Sequence, residues 1–329
     1  MSDPPDHPVR AHFRAFAREQ ARGKSDLYEG LAEAAAASDA VMAFVAGQPP
    51  GKRQANLFLA ALRFVSGLPD GAAGLERAVA RDGDRIAQVM RTRSTQTNEP
   101  GRCAYLAAQL AALPGPVGLI EVGASAGLCL YPDLYSYAFS SPGEAADPGA
   151  ADVVCTLTGR TRPGPVPEIA HRVGVDLNPL DARTPADRAW LETLIWPEQT
   201  HRLARLRRCI ERVADQPPAV IRGDAAYLTA ALIREAPKGL PLVVANAAAL
   251  VYMPDAARRA VATAIRESGA LWLSQEAPGV AASAPPDAPA PADGLFFVAA
   301  QNGVAKAWAN PHGDSLHWLP ARPDAGAAR

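Results

Sequence analysis

Apolar residues in the first third of the chain recur every three or four positions, which is the spacing of amphipathic α-helices. Gly and Pro interrupt the pattern at the places where helices are expected to end. The pattern predicts helices over 12–22, 26–37, 39–46, 54–66, 74–90 and 101–113. No strand-like pattern occurs before Val117. We therefore expect residues 1–113 to form an all-helical domain that acts as a lid on the rest of the chain.

From residue 114 onward the pattern changes to short apolar runs separated by helical stretches. The runs predict parallel strands at 117–122, 172–176, 219–224, 242–246 and 270–274, then an antiparallel pair at 295–299 and 305–309 and a further strand at 315–319. Helices are expected at 190–213 and 256–267. Strands that alternate with helices predict a largely parallel sheet. We therefore expect a doubly wound, Rossmann-like α/β domain over 114–329.

Two stretches interrupt this alternation. Residues 140–168 are rich in Pro and Gly, and they predict an insertion over the edge of the sheet. Residues 277–293 contain five prolines among many alanines, a composition that is typical of a mobile loop.

Length and charge narrow the class of function. With 329 residues, 48% of them hydrophobic, the chain can bury a sizeable core. A formal net charge of −1 gives no reason to expect nucleic acid or an anionic membrane as a partner. The N-terminus is polar and no apolar run reaches the roughly 20 residues of a membrane helix, so we expect a cytoplasmic protein. The four cysteines are scattered, and no metal site is predicted.

The richest chemical signal is the glycine turn that follows the first predicted strand. A strand-to-helix turn needs glycines, because they allow positive φ and a close approach of the backbone to a ligand. The N–H groups of such a turn and of the next helix favour ligand oxygens. We expect the turn to contact a cofactor through Glu121, Gly123, Ala124, Ser125 and Gly127.

Further polar residues stand at the ends of the next three predicted strands. In a doubly wound sheet, ligands lie outside the carboxyl ends of the strands, beside the first glycine turn. Asp176 would accept hydrogen bonds from ribose hydroxyls, and Asp224 would lie near an adenine edge; ordinary solvation of strand ends is the alternative. The same cofactor site is expected to include Leu177, Ala225 and Asn246.

The order of these features resembles class I S-adenosylmethionine-dependent methyltransferases. Their first motif is an acid, one residue and then Gly-x-Gly-x-Gly, and Glu121 to Gly127 follows it with Ser125 in place of the middle glycine. Four longer stretches are similar to a bacterial family known as domain of unknown function 2332: 91–102, 121–128, 172–180 and 190–198. The resemblance implies a methyltransferase-like fold and S-adenosylmethionine as cofactor, and it brings no established substrate.

Residues 91–102, directly before the first predicted strand, form the most polar segment of the helical half. We expect Asn98 and Glu99 to act in catalysis, with Asp133 as a further candidate base. Glu99 is expected to be an exposed carboxylate at a helix start, a position that contributes only about 0.3–1 kcal/mol to stability. Substrate contacts are expected from Arg93, Gln96, Arg102, Tyr131 and Tyr135. The alternative is a capping cluster, and for the tyrosines a half-buried amphipathic segment.

The function predicted on these grounds is S-adenosylmethionine-dependent methyl transfer to a small-molecule acceptor, and two alternatives stay open. Gly123 to Gly127 also matches G-x-S-x-G, the nucleophile elbow of α/β-hydrolases, with Ser125 as nucleophile. Helices rather than strands precede this turn, which argues against a hydrolase. The remaining members of a triad would be Asp224 or Asp255, followed by His312 or His317. The second alternative is a non-catalytic module that binds a nucleoside or a partner.

Overall fold

The computed structural model describes residues 8–144, 147, 149–160, 162–292 and 294–320. Its α-helices are α1 (Pro8–Ala15), α2 (Asp26–Ala37), α3 (Asp39–Ala46), α4 (Ala55–Ser66), α5 (Gly71–Thr92), α6 (Cys103–Leu110), α7 (Pro185–Leu194), α8 (Thr200–Arg212), α9 (Ala225–Glu235) and α10 (Asp255–Ser268). Its strands are β1 (Val117–Val122), β2 (Tyr137–Ser140), β3 (Val153–Thr158), β4 (Ile169–Asp176), β5 (Val220–Arg222), β6 (Leu242–Ala247), β7 (Leu271–Glu276), β8 (Phe297–Gln301), β9 (Val304–Ala309) and β10 (Ser315–Trp318).

The chain divides into two compact units. The first contains the described residues up to Thr97 together with Thr184–Leu203. The second contains Asn98–Arg183 and the described residues from Ala204 onward, and it holds all of the strands above. The expected domain boundary between residues 113 and 114 stays a prediction.

Helices α2 and α3 of the first unit begin at serines whose hydroxyls bond backbone N–H groups that a helix start leaves unpaired. The Ser25 hydroxyl accepts from Tyr28 N at the start of α2, and the Ser38 hydroxyl accepts from Val41 N at the start of α3. Each helix then turns its apolar side inward, and the largest fully buried side chains include Phe13, Phe16, Phe58 and Leu75. The apolar residues that recur at helical spacing in the sequence therefore form the core of this unit.

The second unit is α/β and contains one large, mostly parallel mixed sheet. Its strand order is β2-β3-β10-β9-β8-β7-β6-β1-β4-β5. The antiparallel pairings are confined to the run from β7 through β8 and β9 to β10. The predicted closing antiparallel pair is confirmed as β8 and β9, and the further candidate strand is β10. The structure confirms the α/β class and a largely parallel sheet, to which antiparallel strands are added.

Strand β1 lies at the centre of the parallel region, between β4 and β6, and all six of its residues are buried. Ile120 and Val122 belong to an apolar core that also includes residues of α9 and α10. Because side chains alternate along a strand, Glu121 projects to the opposite face of the sheet. The sequence pattern of β1 thus puts one acid into the middle of a buried strand.

The connection after β1 differs from the expectation. The expected helix after the glycine turn is absent, and only a three-residue 3₁₀ turn, Leu128–Leu130, follows. The chain next forms β2 and β3, so the described part of the insertion predicted at 140–168 supplies strand β3 of the sheet. Its buried residues Val153, Cys155 and Leu157 alternate with less buried ones, and the flanking Pro and Gly masked this short period in the sequence.

Two further features bear on the sequence predictions. The Pro-rich stretch is held at two described points, since Ala282 belongs to a buried cluster with Phe296 and the Trp308 indole N–H donates to Ala288 O at 2.8 Å; its mobility stays a prediction. Among the helices in the described ranges, none combines the length and apolar character needed to span a membrane.

Candidate functional site

The candidate site lies at the carboxyl end of β1, where the glycine turn bonds to its own protein. Gly123, Ser125 and Gly127 have φ of +77°, 51° and +69°. The N–H groups of Gly123 and Ala124 donate to Val175 O at 2.8 and 3.2 Å, and Gly127 N donates to Ala124 O at 2.7 Å. Backbone N–H groups of the turn are therefore committed within the protein, and no α-helix follows to add a dipole. The turn is poorly suited to a phosphate group.

Close packing explains the glycines of this region. A Cβ on Gly123 would lie 2.3 Å from Ala249 Cβ, in the loop after β6. A Cβ on Gly127 would lie 2.6 Å from Pro218 Cβ. At both positions the backbone conformation and the lack of space require glycine. The space that a side chain would fill is occupied by the protein itself rather than left for a ligand.

Asn98, in the segment before α6, forms two hydrogen bonds with the glycine turn. Its Nδ2 donates to Ser125 Oγ at 2.8 Å, and its Oδ1 accepts from Ala126 N at 2.8 Å. Asn98 therefore lies beside the glycine turn, and its expected catalytic role stays a prediction.

The neighbours of Ser125 do not form a hydrolytic triad in the described chain. Its hydroxyl accepts from Asn98, whereas a nucleophile elbow needs a histidine that accepts the serine proton. The two candidate histidines have other neighbours: His312 Nδ1 lies 3.6 Å from Glu99 Oε2, and the His317 ring packs against Phe296. Asp255 pairs with Arg258.

The end of β4 carries a polar residue and an exposed apolar one, side by side. Asp176 Oδ2 accepts from Ser125 N at 2.9 Å, and Oδ1 accepts from Asn178 N at 2.7 Å. A carboxylate has about four acceptor positions, so these bonds are compatible with a further hydroxyl donor. Leu177 is 71% exposed. An exposed leucine next to a buried turn offers an apolar surface for a flat ring.

The other residues predicted at strand ends have structural partners. The Asp224 side chain caps α9 by accepting from Ala226 N at 2.8 Å, and Ala225 is buried in the core. Asn246 is buried; its Nδ2 donates to Glu276 Oε1 at 2.7 Å, and its Oδ1 accepts from the Trp272 indole at 2.7 Å. The structure places Asp224 and Asn246 in these bonds, and their contact with a cofactor stays a prediction.

Glu276, which the sequence analysis missed, organises the loop after β6. It is 1% exposed, and its Oε1 also accepts from Ala249 N at 2.9 Å and Leu250 N at 3.0 Å. Glu276 therefore holds Ala249 against Gly123. The strand was predicted to end at residue 274, two residues before this carboxylate. An acid directly after an apolar run was the feature of the sequence that could have identified Glu276.

Glu99 is not the exposed helix-start carboxylate that was expected. It is 2% exposed, and its Oε1 accepts from Arg205 Nε at 2.9 Å and from Gly101 N at 3.1 Å. Arg205 also donates to Asp314 Oδ1 at 3.0 Å. Although burial opposes it, these two carboxylates raise the pKa of Arg205 above its ordinary value. The carboxylate belongs to a buried ion network whose second member, Arg205, the sequence analysis did not single out.

The remaining residues predicted after the turn form a second network. Both Asp133 oxygens accept from the Arg172 guanidinium, at 3.0 and 2.9 Å, and the guanidinium lies 4.6 Å from the centre of the Tyr131 ring. Burial raises the pKa of Tyr131 to about 12. The Tyr135 hydroxyl donates to Leu128 O at 2.7 Å. Tyr131 and Tyr135 are 1% and 5% exposed, so the segment is more deeply buried than the half-buried alternative expected, and substrate contact by these tyrosines stays a prediction.

The predicted substrate-binding residues of 91–102 fall into different units. Arg93 and Gln96 belong to the first unit, where Arg93 pairs with Asp187. Arg102 belongs to the second unit, is 6% exposed, and donates to Pro311 O and Ala247 O, both at 2.9 Å. Arg102 therefore joins the segment before α6 to the end of β6 and to the loop between β9 and β10.

A comparison with protein-family models matches residues 10–318 to a family described as an uncharacterized protein conserved in bacteria (DUF2332). The chain belongs to this family. The match covers most of the chain, as the four sequence stretches predicted. Searches of curated proteins and of solved structures returned no match. The family description names no substrate.

Proposed function

We propose that this DUF2332 protein binds S-adenosylmethionine at the carboxyl ends of β1 and β4 and transfers its methyl group to a small-molecule acceptor. The observation that carries the proposal is the pairing of Asp176 with the 71% exposed Leu177 beside the glycine turn. A carboxylate that can accept from ribose hydroxyls, next to an exposed apolar side chain that can cover an adenine ring, suits a nucleoside.

The strand order supports the same position. The run β5-β4-β1-β6-β7 follows the order 3-2-1-4-5 of a doubly wound sheet, in which ligands lie where the order reverses. That reversal is at β1. The absence of a helix after the turn departs from this fold, and it removes the usual phosphate site. The ligand that fits is therefore a nucleoside without phosphates.

The residues present fit S-adenosylmethionine only in part. Asp176 and Leu177 would hold the ribose and the adenine, whereas the space at Gly123 is already filled by Ala249. When bound, the cofactor would supply an electrophilic methyl group. The protein's own task is to orient the acceptor and exclude water. Because Glu99 and Asp133 are both paired with arginine, we propose an acceptor whose nucleophile reacts without a protein base.

Calorimetry with S-adenosylmethionine and its demethylated product tests the proposal. We expect micromolar binding of both, and we expect Leu177→Ala to weaken it about tenfold because the adenine loses apolar contact, roughly 1.4 kcal/mol. Val304→Ala is the control, since Val304 is 54% exposed and lies at the start of β9, at the opposite edge of the sheet. It should bind like the unchanged protein.

Three outcomes would decide against methyl transfer. If neither nucleoside binds to folded protein, the proposal fails. Binding without transfer to any acceptor tried would favour the non-catalytic nucleoside-binding module. Covalent labelling of Ser125 by a fluorophosphonate would favour the hydrolase instead.

A further inference from the structure

The carboxyl edge of the parallel strands differs in charge on the two sides of β1. On the side of β4 and β5, Asp176, Arg222 and Asp224 end or closely follow the strands. On the side of β6 and β7, the segments 242–254 and 277–286 contain no charged residue. Glu276, which ends β7, is 1% exposed and bonds the loop after β6. The surface beyond β6 therefore offers a ligand no charged side chain of these two segments.

Two neighbouring apolar side chains are exposed on this uncharged side. Val251 is 40% exposed and Tyr252 is 83% exposed, and both belong to the 3₁₀ turn Leu250–Tyr252 in the loop after β6. Apolar side chains that are exposed singly are common on protein surfaces and need no explanation. An adjacent pair at the edge of a candidate site is different, because it offers a surface on which a ligand can lose apolar contact with water.

The turn that carries this pair is held firmly. Leu250 is 1% exposed and belongs to the core beneath α9 and α10. The N–H groups of Ala249 and Leu250 both donate to Glu276 Oε1, at 2.9 and 3.0 Å. An aromatic ring on a fixed turn loses little conformational freedom when a ligand packs against it. The support of Tyr252 therefore suits a binding surface.

The position of the nucleoside in the proposed function decides which molecule this surface meets. The ribose was placed at Asp176 and the adenine at Leu177, both at the end of β4. Strand β1 separates β4 from β6 in the sheet. A nucleoside with its base at β4 has its sulfonium end toward β1 and β6. The methyl acceptor must approach that end, and so it meets the uncharged side.

We propose that the methyl acceptor is an aromatic thiol whose ring packs against Tyr252 and Val251. The inference rests on the proposed function and adds the class of the acceptor. Aromatic rings pack favourably against one another, and an uncharged surface gives no partner to a charged substituent. An aromatic thiol loses its proton to the solvent near neutral pH, so its sulfur needs no protein base. The thiolate sulfur then bonds to the methyl carbon of S-adenosylmethionine as the bond from that carbon to the sulfonium sulfur breaks.

A binding experiment tests the surface without turnover. Thioanisole, the methylated form of thiophenol, is titrated by NMR into protein that is saturated with S-adenosylhomocysteine. We expect Tyr252→Ala to weaken thioanisole binding about tenfold and Tyr252→Phe to keep it, because the ring makes the contact. Tyr227→Ala is the matched control, since Tyr227 is 81% exposed and lies in the first turn of α9, on the side of β5. It should bind thioanisole like the unchanged protein.

The result for Tyr252→Ala decides the inference at this step. Because the side chain is 83% exposed, its loss should leave the unfolding free energy and the affinity for S-adenosylhomocysteine unchanged. Thioanisole binding as tight in Tyr252→Ala as in the unchanged protein would overturn the inference while leaving the proposed function standing. If S-adenosylmethionine and S-adenosylhomocysteine both fail to bind, the proposed function fails, and the inference fails with it.

Turnover with three small acceptors separates the ring from the nucleophile. Mass spectrometry follows methylation of thiophenol, of 2-mercaptoethanol and of phenol by S-adenosylmethionine. We expect thiophenol to be methylated and phenol to react poorly, since phenol keeps its proton without a base. In Tyr252→Ala the KM for thiophenol should rise about tenfold with little change in kcat, and the kinetics with 2-mercaptoethanol, which has no ring, should not change. Bound S-adenosylmethionine without methylation of thiophenol, or an equal rise of KM for both thiols, would overturn the inference.

Discussion

At the scale of single residues, burial separates carboxylates that look alike in the sequence. Asp224 is exposed and caps a helix, Glu99 is buried against Arg205, and Glu121 is buried with an unpartnered oxygen. Each follows from its neighbours in space, since a carboxylate alone carries no preference for one of these roles. The chemistry available to the three groups therefore differs, although all three were candidates for the same site.

Replacing Glu99 by Gln should destabilise the protein strongly. The change breaks the buried ion pair with Arg205, whose guanidinium then keeps only the more exposed Asp314 as a carboxylate partner, and breaking such a buried pair costs about 3–5 kcal/mol. Chemical denaturation gives the unfolding free energy. Glu192→Gln on α7 is the matched control, because its pair with Arg188 is partly exposed and contributes about 0.3–0.5 kcal/mol. Equal effects of the two changes would contradict the buried network.

At the scale of elements, the glycine turn serves strand-to-loop packing rather than a helix start. Asn98, Asp176 and the carbonyl of Val175 accept from its N–H groups, and Glu276 holds the facing loop. Strand β1 and the loop after β6 thus meet at Gly123 and Ala249. A nucleoside bound at this end of β1 must therefore lie outside the contact between Gly123 and Ala249.

Gly123→Ala should cost more stability than an alanine at another glycine with the same backbone conformation. Both Gly123 and Gly269 have positive φ, +77° and +72°, so an alanine is strained by about 1 kcal/mol at either place. Only at Gly123 would the new Cβ also overlap Ala249, at 2.3 Å, whereas nothing lies within 4 Å at Gly269. We expect the midpoint of thermal unfolding to fall further for Gly123→Ala. A fall no larger than that of Gly269→Ala would mean that the loop after β6 yields easily.

At the scale of the whole molecule, the second unit is organised from the middle of its sheet outward. Strand β1 is buried along its whole length, while β5, at one edge, has only three residues, two of them exposed. Apolar contact on the face of α9 and α10 is concentrated on β1, β4 and β6. Stability is therefore expected to decline from the centre of the sheet to its edges.

Hydrogen exchange measured by mass spectrometry should show this gradient. Amides of β1 and β6 should exchange most slowly, because they open only when the unit unfolds, and amides of β5 should exchange fastest among the parallel strands. Protection of β5 equal to that of β1 would contradict the gradient and would point to a partner that covers this edge.

The sequence by itself determined where most elements lie. Apolar period fixes a helix or a strand locally, so β1 and α3 were predicted with the bounds that the structure has. The Pro- and Gly-rich insertion was the exception, since β3 is stabilised by pairing with β2 and β10 more than by its own pattern. Family membership could also be predicted, because the motifs that identify the family are short contiguous stretches that can be read directly from the sequence.

Only the tertiary structure decided what the polar residues do. Glu99 and Arg205 are 106 positions apart, and Ser125 and Asp176 are 51 apart, so no local pattern announces either bond. A glycine turn that opens onto a helix and one that is packed against a loop have the same local sequence. Which of the two forms depends on whether Ala249 and Asn98 contact the turn. Their positions depend in turn on how the whole sheet packs.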